Sequence, residues 1–199
     1  MKYLDENYYH MFNRGSRSEK IFFSEANYEY FLRLITGNSI VHLVRVEACC
    51  LMPNHYHIVV KQSVGGSISK FIQSVMTSYV QAVNKMYNLS GSLFQGKAKA
   101  KLIDTESSLM QVVRYIHLNP VKAELVQRPE DWRFSDYREW IGLTSPTAWS
   151  DRKGSCRSDR RGTSLRDVLF LNAEEYKQFV EEEQAIQKEN DLQKFLIDE

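Results

Sequence analysis

Long apolar runs are missing from this sequence. No stretch of 18 or more consecutive apolar residues occurs, which argues against a transmembrane helix. The first 20 residues, MKYLDENYYHMFNRGSRSEK, contain no apolar segment of the signal-peptide type. Cysteine is scarce too, because Cys49, Cys50 and Cys156 form no even set for a disulfide framework and two of them are adjacent. We therefore expect a chain without membrane spans that works in the reducing cytoplasm.

A strong excess of one charge is also absent, since the formal net charge at pH 7 is only +1. The charge is unevenly distributed, however. Residues 1–128 contain 15 Lys and Arg against 9 Asp and Glu, whereas residues 129–199 contain 11 against 16, so the net charges are +6 and −5. A basic body with an acidic tail is compatible with a phosphate-bearing partner. Ordinary surface variation explains the same asymmetry, and charge alone does not decide between the two.

Hydrophobic periodicity divides the first 120 residues into alternating strands and helices. The predicted strands cover residues 7–15, 40–52, 55–62 and the end of 91–104, and the predicted helices cover 24–37, 67–88 and 105–119. Pro53 and Asn54 separate the second and third strands as a hairpin, and we expect Pro120 to stop or kink the last helix. The order β-α-β-β-α-β-α predicts an α+β fold with a ferredoxin-like antiparallel sheet and helices on one face.

The composition changes after residue 142. Residues 144–164 are polar, basic and rich in Gly and Ser, which is typical of a long loop or linker. Residues 172–195 have the pattern of a charged helix. We therefore predict a main domain over residues 1–142, a basic loop or linker over 143–170 and an acidic C-terminal helical extension over 171–199.

Two histidines stand one residue apart in the strand 55–62. Because side chains alternate along a strand, His55 and His57 point to one face and Tyr56 to the other. Two neutral imidazoles placed in this way can bind one divalent cation, but they can equally be packing side chains. Neither HExxH nor CxxC occurs, so a structural zinc site is not expected. A cation at this pair needs a third ligand.

The helix over residues 105–119 offers one candidate for that ligand and a tyrosine beside it. Tyr115 and Asn119 are four residues apart and share a helix face, and an amide oxygen suits a hard cation such as Mg²⁺ or Mn²⁺. Tyr115 lies at the edge of the apolar stripe, whereas Tyr79 lies near the middle of the stripe of its own helix and is expected in the core. The alternative for Tyr115 is a boundary tyrosine with its hydroxyl in water.

Three segments resemble a known family when they are taken together. The stretches LMPNHYHIVV, YIHLNPVKAELV and WRFSDYREWIG are similar to the REP-associated tyrosine transposases, which belong to the IS200-like, single-tyrosine HUH family. The stretches YHMFNRGSRSEKIFF and NLSGSLFQGKAKAKLID are similar to the same family. The resemblance covers residues 8–142 in order, so residues 1–142 are expected to form the catalytic domain.

The resemblance implies a metal-dependent DNA transposase. It implies a divalent metal, Mg²⁺ or Mn²⁺, at His55, His57 and Asn119, with Tyr115 as the nucleophile. Family members cleave single-stranded DNA near a hairpin through a 5′-phosphotyrosine intermediate and leave a free 3′-OH. They often form homodimers and need no nucleotide cofactor. One departure concerns Asn119, because a residue directly before proline resists α-helical geometry and an amide is a weaker ligand than a carboxylate.

Several basic residues are candidates for DNA contacts. Arg14 and Arg17 follow the first strand, the alternating lysines of GKAKAKLI share one strand face, and one arginine adjoins the candidate nucleophile. The candidates are Arg14, Arg17, Lys97, Lys99, Lys101 and Arg114. For the lysines, a solvated strand edge is the competing interpretation.

Two other functions remain open from the sequence. One is a non-catalytic, domesticated protein that binds hairpin DNA on the same fold without cutting it. The other is a generic ferredoxin-like domain for RNA or a small ligand, in which His55 and His57 only pack.

Overall fold

A four-stranded antiparallel sheet forms the centre of the protein. The structure is a computed structural model that describes residues 2–143, 165–170 and 172–197. The strands are β1 (Tyr8–Arg14), β2 (Val44–Met52), β3 (His55–Gln62) and β4 (Lys99–Ile103), in the spatial order β2-β3-β1-β4. All neighbouring strands are antiparallel. This order confirms the predicted ferredoxin-like α+β fold.

Six helices accompany the sheet in the described part of the chain. They are α1 (Glu25–Val41), α2 (Ile68–Tyr87), α3 (Glu106–Lys122), α4 (Tyr137–Trp140), α5 (Leu165–Leu169) and α6 (Ala173–Ile197). Side-chain caps start the central helices, since Ser67 accepts a hydrogen bond from the backbone N–H of Lys70 and Thr105 accepts one from that of Ser108. The predicted basic loop over 144–164 lies outside the described residues.

Helices cover both faces of the sheet, so the expectation of helices on one face is wrong for α3. Helices α1 and α2 cover one face, where Phe31, Phe71 and Val75 belong to one apolar cluster. Helix α3 covers the other face, where Val113 and Ile116 belong to a second cluster. The physical reason lies in β2, which is buried on both sides and therefore must be covered on both.

Strand β2 contributes to both clusters because its side chains alternate between the two faces of the sheet, and a bulge changes which positions face which side. The register with β3 shifts between Val46 and Ala48. Beyond the shift, Cys49 and Leu51 face the α1/α2 side, while Cys50 faces α3. The side chains of the adjacent Cys49 and Cys50 are both buried.

Helix α3 continues through Pro120, so the expected stop at this residue is wrong. The helix ends at Lys122, and the N–H of Ala123 bonds to the carbonyl of Asn119 at 2.9 Å. Pro120 is itself buried, so its packing in the interior offsets the missing backbone donor. As a result, Asn119 keeps its helical place one turn after Tyr115.

The C-terminal helix α6 packs against α3. Tyr176 and Val180 are completely buried in the second apolar cluster together with Trp140 of α4. The first part of the acidic extension therefore shares a hydrophobic core with residues of the predicted main domain. No helix within the described ranges is long and apolar enough to cross a membrane.

Candidate active site

Strand β3 carries the histidine pair on the sheet face that α3 covers. His55 and His57 point to this face with ring centroids 5.1 Å apart, as the alternation predicts. Tyr56 points to the opposite face and is completely buried there. His57 is 7% exposed, so its ring is almost wholly removed from solvent.

Tyr115 of α3 reaches the same place. Its ring centroid lies 5.5 Å from that of His57, and its side chain remains 43% exposed at the opening. Tyr79 is different, because it is buried on the other face and its hydroxyl donates to the carbonyl of Ile21 at 2.6 Å. The structure thus places Tyr79 in the core, as predicted, and Tyr115 beside the histidines.

Asn119 completes the group from the next turn of α3. Its amide Nδ2 donates to the carbonyl of Tyr115 at 2.8 Å, which is the local bond expected of a side chain one turn on. The interaction with the Asn119 side chain opposes the lowering of the pKa of His55, so the two side chains meet. With Nδ2 held by the backbone, Oδ1 is the atom left to face the histidines.

The electrostatics of the site keep both imidazoles neutral near pH 7. Burial lowers the pKa of His57 to about 3, with further contributions from His10 and His55. Burial is also the main cause of the lowered pKa of His55, and the charge of Arg14 adds to it. Neutral imidazoles present lone pairs, which is the form that binds metal.

The donor set fits a divalent cation. His55 Nδ1 lies 2.6 Å from Asn54 Oδ1, and Asn54 Nδ2 donates to the carbonyl of Ser18. The contacts of both its oxygen and its nitrogen therefore fix the orientation of the Asn54 amide group. Since an amide oxygen only accepts, His55 carries its proton on Nδ1 and leaves Nε2 open. Throughout the described residues, no three His, Cys, Asp or Glu side chains cluster closely enough to hold a metal. Within the described part of the chain, a third ligand would be another type of group, such as the Asn119 amide.

His10 is a member of this cluster that sequence reasoning left without a role. Its Nε2 lies 2.9 Å from Nδ1 of His57, and its ring centroid is 6.4 Å from that of Tyr115. Strand alternation puts His10 on one face with Phe12, but only the register of β1 against β3 brings that face to His57. The register between β1 and β3 cannot be predicted from the sequence alone.

A cleft of about 600 Å³ opens over the histidines and Tyr115. Of the six predicted DNA contacts, Arg14, Lys97 and Lys99 line this cleft. Lys101 is exposed on the same face of β4, opposite His10 in the register. Arg17 is exposed in a short turn over Ser16–Ser18 and does not line the cleft.

Arg114 is held by α6 and does not line the cleft. Its guanidinium forms an ion pair with Glu183 at 2.9 Å and lies over the ring of Phe179 at 4.1 Å. It also donates to the carbonyl of Phe179 at 3.3 Å. These contacts hold the guanidinium against α6, so we expect Arg114 to anchor this helix rather than to contact DNA.

The family model for IS200-like transposases matches residues 4–119, from the segment before β1 to Asn119. The chain belongs to the IS200-like transposase family. The residues that cluster in the structure all lie within the part of the chain that matches the family. They are His55, His57, Tyr115 and Asn119. It confirms the resemblance drawn from the sequence motifs.

A solved structure of a transposase has a similar fold. A REP-associated tyrosine transposase bound to a REP hairpin is 17% identical with a TM-score of 0.62, and the match covers 83% of this chain and 96% of that one. A protein from Deinococcus radiodurans R1 that was assigned as a transposase is 12% identical with a TM-score of 0.42, over 58% and 92% of the two chains. No curated protein matches the sequence.

Proposed function

We propose that this transposase is a single-tyrosine HUH enzyme that cleaves and rejoins single-stranded DNA. Tyr115 is the nucleophile in this proposal, and a divalent cation is held by His55, His57 and Asn119. The observation that carries it is the position of the Tyr115 ring, 5.5 Å from that of His57 on the same face of the sheet. A half-exposed phenol beside two neutral imidazoles is suited to attack on a phosphodiester.

The proposed cleavage by Tyr115 forms one bond to phosphorus and breaks another. The hydroxyl oxygen of Tyr115 attacks phosphorus, the bond from phosphorus to the 3′-oxygen breaks, and the phenolic proton is replaced by the phosphoryl group. The departing 3′-oxygen takes up a proton and becomes a 3′-OH, while the 5′-phosphate stays linked to Tyr115. Lys122, whose Nζ lies 5.8 Å from the centre of the Tyr115 ring, places a positive charge near the phosphate that Tyr115 would attack.

Mg²⁺ or Mn²⁺ would fit the two imidazoles and the amide oxygen. When bound, such a cation polarises a non-bridging phosphate oxygen and stabilises the leaving 3′-oxygen. The phosphotyrosine ester keeps the energy of the broken bond, so a second 3′-OH can reverse the step. The reaction therefore requires no nucleotide cofactor.

The substrate that we propose is single-stranded DNA next to a hairpin. Arg14, Lys97 and Lys99 line the cleft, and Lys101 extends their row along β4, which suits a phosphate backbone that passes over the nucleophile. The similar REP-associated transposase was solved with a REP hairpin, and this supports the same substrate class here.

The test is a covalent-adduct assay with a labelled hairpin oligonucleotide that carries single-stranded flanks. With Mg²⁺ or Mn²⁺ the protein should form a denaturation-resistant protein–DNA adduct, and EDTA or Tyr115→Phe should abolish it. Tyr30→Phe is the control for loss of a tyrosine hydroxyl away from the cleft. An adduct that survives Tyr115→Phe and disappears in a folded Tyr79→Phe variant would overturn the assignment. Tight, metal-independent binding without any adduct would instead favour the non-catalytic DNA-binding alternative.

A further inference from the structure

We propose that His10 is a positioning residue, which sets the tautomer and ring orientation of His57 so that Nε2 of His57 faces the cleft. The inference rests on the proposed function, because it explains how one of the suggested ligands is held ready. It concerns a side chain on β1, outside the HUH motif on β3.

The sheet register creates the contact. In the β1–β3 ladder Phe12 faces His57 and His10 faces Val59, so His10 and His57 are diagonal neighbours on one face. Their ring centroids are 5.1 Å apart with an angle of 30° between the planes, so the rings meet edge to edge at the two nitrogens. The bond between His10 Nε2 and His57 Nδ1 is 2.9 Å long, a normal length for this type of hydrogen bond.

The hydrogen bond can run in two directions, and only one suits a ligand. A neutral imidazole has one N–H donor and one acceptor nitrogen. If His57 donates from Nδ1, its Nε2 carries the lone pair, and His10 accepts at Nε2 while it holds its own proton on Nδ1. If His10 donates instead, His57 Nε2 is protonated and cannot bind a cation.

The same geometry excludes His10 as the third ligand of a shared cation. Its Nε2 is directed at the ring of His57 and is used in the hydrogen bond. Ligand histidines in metalloproteins usually engage their second nitrogen in this way, and that partner fixes the tautomer. His10 therefore acts on a cation through His57.

His55 shows the same arrangement with another partner. Its Nδ1 donates to Asn54 Oδ1, so both candidate ligands have Nδ1 engaged by a neighbouring side chain. Rings packed on either side limit movement of His57 further, since the centroid of Phe12 is 5.9 Å away and that of Tyr115 is 5.5 Å away. Two histidines that are oriented alike by different residues suggest that both Nε2 atoms have one common target.

The first measurement is the tautomer of His57 in the metal-free protein, from long-range proton–nitrogen correlation spectra of ¹⁵N-histidine-labelled samples. Wild type should show His57 protonated on Nδ1. His10→Gln keeps an acceptor oxygen in reach and should preserve this state, whereas His10→Leu should give a mixture of tautomers. A wild-type His57 protonated on Nε2, or an unchanged tautomer in His10→Leu, would overturn the inference.

The second measurement is Mn²⁺ affinity by calorimetric titration of the same variants. Losing a partner of a ligand histidine typically weakens metal binding ten- to a hundredfold. We expect such a loss in His10→Leu and near wild-type affinity in His10→Gln. His42→Leu is the matched control, because His42 lies away from the cleft and contacts Ser74 at 3.2 Å. Should His10→Leu not fold, His10→Phe takes its place, since a flat ring fits beside Phe12.

The outcomes separate this inference from the proposed function. If the enzyme is active but His10→Leu changes neither the His57 tautomer nor the Mn²⁺ affinity, only the role of His10 is contradicted. A protein that forms no adduct, but whose His57 tautomer and Mn²⁺ affinity depend on residue 10 as described, would contradict only the proposed chemistry.

Discussion

The hydroxyl of Tyr176 lies 2.5 Å from Nδ1 of His117, so a buried hydrogen bond joins the C-terminal helix α6 to the helix that carries Tyr115. On its other side, His117 Nε2 lies 2.8 Å from Oδ1 of Asp136, which also accepts from the backbone N–H of Cys49. The two ring nitrogens of His117 are therefore both engaged, one by Tyr176 and the other by Asp136. These hydrogen bonds connect α6, α3 and β2 behind the cleft.

The first prediction concerns the hydrogen bond between Tyr176 and His117. Tyr176→Phe should lower the free energy of unfolding by about 1–3 kcal/mol, because it removes the hydrogen-bond partner of the buried Nδ1 of His117. Chemical denaturation followed by circular dichroism measures the change. Tyr115→Phe is the matched control, since it removes the same hydroxyl from a half-exposed side chain of α3 and should change stability much less. Equal losses in the two variants would show that the buried bond contributes nothing particular.

The second prediction distinguishes two basic residues that looked alike in the sequence. Lys99→Ala should reduce the slope of log affinity against log salt for single-stranded DNA by about 0.7, as expected for one lost phosphate contact. Arg114→Ala should leave that slope unchanged and instead lower stability, because it removes the ion pair with Glu183 and the contact with Phe179. Binding titrations between low and moderate salt, together with denaturation curves, measure both effects. If the salt dependence of DNA affinity falls in Arg114→Ala, then Arg114 does contact DNA.

The sequence predicted well what local spacing determines. Alternation along one strand put His55 and His57 on a common face, and helical spacing put Tyr115 at the edge of a stripe and Tyr79 at its centre. The chain order of strands and helices was enough for the ferredoxin-like sheet. These features depend on neighbours within a few residues or on the order of elements, and both can be read from a single chain.

What escaped prediction depends on distant contacts. His10 meets His57 across 47 residues of sequence through the strand register, and Arg114 meets Phe179 across 65. The continuation of α3 through Pro120 likewise depends on burial, which local propensity cannot report. In each case the packing of a separate element outweighs the local signal.

The third prediction concerns acid stability of the metal-free protein. Burial lowers the pKa of His10 to about 4 and that of His57 to about 3, whereas an unfolded histidine titrates near 6.5. The unfolded state therefore binds more protons below pH 6.5, and stability should fall as the pH drops from there toward 4. At pH 5 the loss should be on the order of 1–2 kcal/mol for each histidine.

Denaturation curves at several pH values test this slope. The double variant His10→Gln/His57→Gln should show a flatter dependence between pH 6.5 and 4 than wild type, because it lacks both buried imidazoles. His42→Leu should keep the wild-type slope. The explanation fails if the double variant loses stability as steeply as wild type over this range.

The fourth prediction tests Asn119 as the third ligand. Asn119→Ala should weaken Mn²⁺ binding and reduce adduct formation in parallel, since it removes the amide oxygen and leaves both histidines in place. Asn38→Ala is a close control, because Asn38 on α1 makes the same one-turn bond from its amide to a backbone carbonyl, that of Leu34 at 2.9 Å. Both changes remove one such bond and install a good helix former, so their effects on helix stability should be similar. A Mn²⁺ affinity that differs between the two variants therefore reports the ligand role alone, and equal affinities would exclude Asn119 from the site.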